Sequence, residues 1–313
     1  MLRSFLRRFP YVQRLRSERD LLRGEVERLR SAHDGGGPAF APPGHFYSPF
    51  PNLAQVRANE ARFFPPPPRT LPGIELREAE QLALLAELEP YYRAQPFSAR
   101  RSPARRYWFE NPAYSYSDAL FLYAMIRHLR PRRILEIGSG YSSCVTLDTN
   151  ELFFGNSIEC TFVEPYPELL RSLLRPGDEE RIRIVAAGAE SLGAELFEQL
   201  GENDVLFIDS THVSKLGSDV NHLVLDVLPR LRPGVYVHVH DVQYPFEYPP
   251  GWIYEGRAWN EAYLLRAFLA FNAAFEIVLF NTFLEHFHER WFREHMPLCL
   301  ENRGGSIWLR RRG

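Results

Sequence analysis

The chain has 313 residues, 45% of them hydrophobic and 24% charged, with a net charge of −2. This is enough chain and enough apolar content for one large α/β domain with extensions, or for two small domains. The balance gives no basic field for nucleic acid, and no apolar run approaches the roughly 18 residues that span a bilayer, so neither nucleic acid nor stable membrane insertion is expected. Cys144, Cys160 and Cys299 are odd in number, far apart and free of any Cys-x-x-Cys spacing. They suggest neither a disulfide framework nor a zinc site, and make a reducing cytoplasm the default location.

In residues 1–34, Val12, Leu15, Leu22, Val26 and Leu29 fall on a heptad seam broken by Arg19. This reads as a helix that either pairs two chains into a homodimer or packs on its own domain. Residues 35–73, with Pro42, Pro43, Pro49, Pro51 and the run Pro65 to Pro68, read as an extended Pro/Gly-rich linker. Residues 74–313 form the remaining domain, with a core over 132–313. Helices are expected over 75–92 and 117–129, and then strands over 133–137, 159–164, 182–186, 204–209, 235–241, 275–281 and 306–310. The clearest helix between strands is 218–231, where Val220, Leu223, Val224, Val227, Leu228 and Leu231 keep helical spacing behind a Ser218 cap. Another is expected over 260–271. Strand and helix alternating in this way predict a parallel, doubly wound sheet that binds its ligand at the carboxyl ends of the strands.

Nearly every strand stops at a polar residue. The run Ile134, Leu135, Ile137 ends at Gly138 and Gly140, with Glu136 just before the turn and Ser139 and Tyr141 within and after it. The second strand ends at Glu164, 26 positions beyond Gly138 and near the spacing at which an acid holds ribose hydroxyls. The third runs into Gly188 and Glu190, the fourth into Asp209 and the fifth into His240 and Asp241. Ser143 stands where a dinucleotide fingerprint has its third glycine, which counts against NAD.

Residues 134–140, Glu164, 205–209 and the Leu231-Arg-Pro-Gly234 turn resemble the class I methyltransferases that use S-adenosylmethionine. The segments 207–212, 217–219 and His240-Asp241 are similar to a bacterial branch that includes sugar and macrolide O-methyltransferases. The resemblance implies a Rossmann-like sheet of seven strands, the last antiparallel beside the fifth, and a small-molecule acceptor. It further implies that Glu136, Gly138, Ser139, Gly140 and Tyr141 hold the methionine end of the cofactor and Glu164 its ribose. Glu190 is the one residue near the third strand that could meet adenine. Tyr114, Tyr116 and Ser117 could close over the methionine end.

Methyl transfer from a sulfonium is an in-line displacement, so alignment does most of the work and a base removes the acceptor proton. His212 and His240, on adjacent strand ends with Asp209, are the candidates. His238 shares a strand face with His240 but lies deeper and reads as structural. Asp209 and Asp241 could instead hold a divalent cation. His240, standing where related enzymes often have an acid, favours a base over magnesium. The aromatic and Pro-rich segment 244–259 reads as a semi-rigid wall of the acceptor pocket, and His286 and His288 sit on a connector after the sixth strand. Two rival readings are an NAD(P)-dependent oxidoreductase and a non-catalytic scaffold. A short-chain oxidoreductase is disfavoured because Lys215 is the only lysine and no Tyr-x-x-x-Lys pair exists.

Overall fold

The computed structural model describes Arg19, Leu22 and residues 40–313. The seam expected over residues 1–34 lies outside the described residues except for Arg19 and Leu22, which are helical and exposed. The chain divides into two compact units, one ending at Phe63 and one running from Phe64 to Gly313. In the first, the helix Leu53–Ala58 starts where the Asn52 side chain accepts a hydrogen bond from the Gln55 amide at 3.1 Å, and a single turn follows at Glu60–Phe63. Both lie inside the stretch expected as linker.

The second unit is built on one seven-stranded sheet: β1 (Arg133–Ile137), β2 (Glu159–Val163), β3 (Arg183–Val185), β4 (Val205–Ile208), β5 (Tyr236–His240), β6 (Phe275–Phe280) and β7 (Ser306–Arg311). Each observed boundary falls within a residue or so of the apolar runs that predicted it. The spatial order is β3-β2-β1-β4-β5-β7-β6. Only β7 is antiparallel to its neighbours. The chain leaves β1 toward one edge and restarts at β4 on the other side, so the switch point falls between β1 and β4, which pair directly. A crevice at the carboxyl end of the strands is expected there.

Helices α1 (Glu78–Arg93) and α2 (Tyr116–Leu129) precede the sheet, and α3 (Tyr141–Phe154) and α4 (Glu168–Leu173) follow β1 and β2. β4 is buried throughout and β1 from Ile134 onward, as parallel strands covered on both sides must be. Phe162, Phe207 and Trp308 are fully buried among the largest core side chains.

The helix expected over 218–231 keeps its Ser218 cap, the hydroxyl accepting from the Asn221 amide at 3.2 Å. Its middle, however, widens to π spacing over His222–Val227, where the Leu228 amide reaches back to the Leu223 carbonyl, and its end tightens to a 3₁₀ turn over Leu228–Arg230. Pro229 accounts for the change. It has no N–H to donate, and its ring would collide with the carbonyl four residues earlier, so a regular α-helical ladder cannot pass.

Arg106, just ahead of α2, is the most heavily paired buried charge. Its guanidinium meets Asp148 at 2.7 Å, Asp178 at 2.5 Å and Glu151 at 2.8 Å. Burial disfavours its charge, but the hydrogen bonds it donates to Asp178, Glu151 and Asp148 outweigh burial and raise its pKa. Removing one partner from such a group costs about 3–5 kcal/mol, because the charge left behind stays buried.

Candidate active site

The glycine turn after β1 is held by contacts that begin inside the strand. Glu136 is fully buried, and one carboxylate oxygen accepts from the Ser142 and Ser143 hydroxyls, each at 2.7 Å. Ser143 also accepts from the Gly140 amide at 3.0 Å, which closes the first turn of α3 onto the strand. A glycine at 143 could make neither bond, and this is why the dinucleotide fingerprint fails here. The second Glu136 oxygen is buried without a partner. Desolvation, offset in part by the two serines, pushes the Glu136 pKa up to about 8. Gly138 has φ of +81°, and a methyl at its Cα would overlap the Asp209 carbonyl, so no other residue fits. The Asp209 amide in turn donates to Ile137 at 2.8 Å, which joins the ends of β1 and β4.

Beyond this turn the sequence-predicted cofactor residues separate. The Ser139 hydroxyl is buried and unpartnered, and the Tyr141 ring meets Trp108 edge-on at 5.3 Å. Glu164 stands at the end of β2 and accepts from the Tyr166 amide at 2.9 Å. Glu190 is exposed, on a single 3₁₀ turn after β3, with its carboxylate folded against Gly188. No hydrogen bond among the described residues links Glu164 or Glu190 to the others.

The ends of β4 and β5 form a charged cluster. His212 is buried, and its imidazole lies 2.9 Å from Glu261, 3.3 Å from Asp209 and 3.6 Å from Asp241. His240 lies 3.5 Å from Asp241. Desolvation opposes a charge on His212, but hydrogen bonds to Asp209 and Glu261 win and raise its pKa to about 10. The raised pKa favours the charged form of His212, held between Asp209 and Glu261. His240 is also raised: burial works against its charge, and Asp241, Asp209 and Asp118 outweigh burial. Burial pushes Asp209 up, but His240 and His212 bring it below its ordinary value. Asp241 goes the other way, raised by burial and by the negative charge of Asp209. His212 and Asp241 both have left-handed backbone, at φ of +60° and +56°. Non-glycine residues held this way at two adjacent strand ends store strain of about 1–3 kcal/mol each.

His238 lies one layer down, stacked on Phe207 at 4.2 Å and edge-on to Trp308 at 4.8 Å. Desolvation and the neighbouring His240 hold it well below the usual imidazole range, so it is neutral. Tyr114 sits over His240 at 5.1 Å between ring centres. Tyr116 instead stacks on Phe109, and Ser117 donates to Glu285.

The aromatic segment after β5 does more packing than walling. Tyr244, Phe246 and Tyr248 are buried in the core, while Trp259 lies 4.3 Å from the His212 ring and carries Arg257 over its face. His286 lies in the helix Asn281–Phe287, and His288 pairs with Glu78 at 2.6 Å. The least foreseeable residue is Glu261, the first residue of α5 (Glu261–Leu269), which accepts from His212 and from Ser210 at 2.8 Å. An acid in a first helical turn is an ordinary complement to the helix dipole, so the sequence carries no sign that it reaches a histidine 49 positions earlier.

A seven-stranded sheet with only β7 reversed, a glycine turn after β1 and acids at the following strand ends defines the class I methyltransferase architecture. Residues 135–242 match the family described as a methyltransferase domain, and the chain belongs to that family. An uncharacterised protein of Archaeoglobus fulgidus is 37% identical over 171 residues, covering 52% of this chain and 74% of the relative. Among solved structures, the Podospora anserina methyltransferase PaMTH1, bound to SAH, is 17% identical over 78% of this chain and 99% of its own, with a TM-score of 0.43. The O-methyltransferase TomG of Streptomyces achromogenes, in complex with SAM, is 16% identical over 72% of this chain and 96% of its own, with a TM-score of 0.44. Among the described residues, no helix is long and apolar enough to cross a membrane.

Proposed function

We propose that the protein transfers the methyl group of S-adenosylmethionine to an oxygen of a small polar acceptor such as a sugar. The observation that carries this reading is the buried Glu136 carboxyl, which holds one oxygen unpartnered beside a turn that admits only glycine at 138. That oxygen suits the ammonium of a methionine moiety, and the unpartnered Ser139 hydroxyl supplies a further polar contact. Gly140 and Tyr141 would border the same end of the cofactor, Glu164 would take the ribose hydroxyls, and Glu190 would approach adenine from the exposed rim. When bound, the cofactor supplies an electrophilic sulfonium methyl.

The rest of the chemistry belongs to this chain's residues. His240, at the end of β5 beneath Tyr114, takes the acceptor proton once it is neutral, and Asp241 steadies the imidazolium that forms. His212 stays charged and balances Asp209 and Asp241. The chain's place in the methyltransferase family and its Ser143–Glu136 contact leave no ground for the NAD(P) alternative. The scaffold alternative leaves unexplained why costly buried charges gather at one sheet edge.

One donor atom each from Asp209, His240 and Asp241 lies within 4.8 Å of the others, a span that a divalent cation could bridge. The set fits poorly as it stands. The His212 imidazolium already sits against both carboxylates, and an imidazole ligand is foreign to magnesium's preference for oxygen. No step is therefore routed through a metal. Turnover that persists in a chelator is expected; turnover lost to the chelator and restored by Mn²⁺ would overturn this.

Isothermal titration with S-adenosylhomocysteine tests the cofactor, and absence of binding would sink the proposal. Incubation with methyl-labelled cofactor and a panel of hydroxylated metabolites tests the acceptor. Label found only on nitrogen or carbon would overturn transfer to oxygen.

A further inference from the structure

We propose that the cleft between residues 101–106 and the end of α4 is a second binding site, which takes a small molecule bearing one or two phosphate groups. The cleft has a volume of about 470 Å³, and its lining includes Arg101, Arg105, Arg106, Arg175, Ser102 and Ser172 and no acid. None of the residues assigned above to the cofactor or to proton transfer lines it.

The four arginines are not equally engaged. Arg106 spends its guanidinium on Asp148, Asp178 and Glu151, all of which lie outside the lining. Arg175 reaches two of the same acids with one nitrogen, at 3.3 and 3.5 Å, while its Nε is buried without a partner. The Arg105 Nε is likewise buried and unpartnered, and its Nη1 donates only to the adjacent Ala104 carbonyl at 2.6 Å. Arg101 lies over the Trp108 ring at 5.3 Å. Among the described residues, no carboxylate forms an ion pair with Arg101 or Arg105.

A guanidinium N–H without an acceptor is costly when buried, and phosphate oxygens provide acceptors in the planar geometry that arginine donors match. The charge count points the same way. Four arginines line the cleft against three carboxylates behind it, which leaves a net positive charge for an anion to offset. The volume lies within the range of small-molecule sites, so a bound phosphate has room for an organic body of nucleotide or phospho-sugar size. Ser102 adds a hydroxyl donor at the rim, whereas the Ser172 hydroxyl already donates to the Leu169 carbonyl at 2.7 Å.

The test is calorimetric titration with pyrophosphate and with adenosine monophosphate at low salt. Saturable binding that weakens as salt rises is expected, and Arg105→Glu should weaken it by about tenfold or more. Arg100→Glu makes the same charge change at an exposed residue outside the lining and should leave binding within about twofold. Unchanged S-adenosylhomocysteine affinity in Arg105→Glu shows that the variant is folded. Three results would overturn the proposal: no binding of either probe, equal binding by Arg105→Glu, or displacement of pyrophosphate by S-adenosylhomocysteine, which would place the anion in the cofactor site. Flotation on phosphatidylglycerol vesicles that pyrophosphate competes away would assign the phosphate to a lipid headgroup. Pyrophosphate binding without flotation would assign it to a soluble ligand.

Discussion

The edge of the sheet at β1 and the edge at β4 and β5 solve opposite electrostatic problems a few residues apart. At β1 a single carboxyl is buried, paired only with neutral hydroxyls and pushed toward its neutral form. At β4 and β5 three carboxylates surround one imidazole, which they hold charged. The first edge holds its carboxyl without an opposite charge of its own. The second surrounds the His212 imidazole with Asp209, Asp241 and Glu261. If the proposed function holds, the two edges keep cofactor binding and acceptor deprotonation apart, so that neither disturbs the other's protonation.

The contrast can be broken most severely at Gly138. Gly138→Ala faces both the left-handed backbone and the Asp209 carbonyl, so a loss on the order of 3 kcal/mol is expected, seen as a lower Tm, together with cofactor affinity. A variant as stable as the parent would show that the turn is looser than its geometry. His240→Ala should lower turnover by about 10²- to 10⁴-fold while S-adenosylhomocysteine affinity holds, since general base catalysis is worth that much. Unchanged turnover would remove the proton-transfer role. Glu136→Gln should reverse that pattern, weakening the cofactor by about tenfold to a hundredfold as a charged hydrogen bond is lost.

Smaller effects follow from protonation. With its pKa at about 8, Glu136 is largely neutral at pH 7, and an ammonium prefers it ionised. Cofactor affinity should therefore rise as pH climbs toward about 8, and calorimetry in buffers of different ionisation enthalpy should show a proton released on binding. A pH-independent affinity would mean that Glu136 is already ionised. Both Glu136 and His212 have folded pKa values above their unfolded ones. Each thus contributes stability at low pH that fades as pH rises, from 4.5 through about 8 for Glu136 and from 6.5 through about 10 for His212. Tm should decline across that span, and Glu136→Gln should flatten the lower part of it. The smallest effect is expected at Glu190→Ala, whose exposed carboxylate should change cofactor affinity by about twofold or less.

The same contrast explains what the sequence could show. The seven strands were legible because parallel strands covered on both faces must be runs of apolar residues, and the β1 turn because its glycines and acid are consecutive. The β4 and β5 edge was legible only in part. Asp209, His240 and Asp241 mark strand ends, but the charge of His212 is set by Glu261, which local pattern presents as a helix start. Ser143 was visible only as a missing glycine, because its two hydrogen bonds depend on where Glu136 points. The segment after β5 read as a pocket wall because aromatics and prolines look alike in a wall and in a core. Burial of Tyr244, Phe246 and Tyr248 is decided by helices and strands more distant in sequence.

The clamp of Arg106 on three acids has a practical consequence for salt. Screening by ions weakens exposed charge pairs within a Debye length of about 8 Å at physiological strength, but reaches buried pairs far less. Arg106 and Asp148 are almost fully enclosed, whereas Arg101 and Arg105 face the cleft. Raising salt should thus strip an anion from the cleft while the strut behind it stays locked, so that binding and folding come apart on a single salt titration.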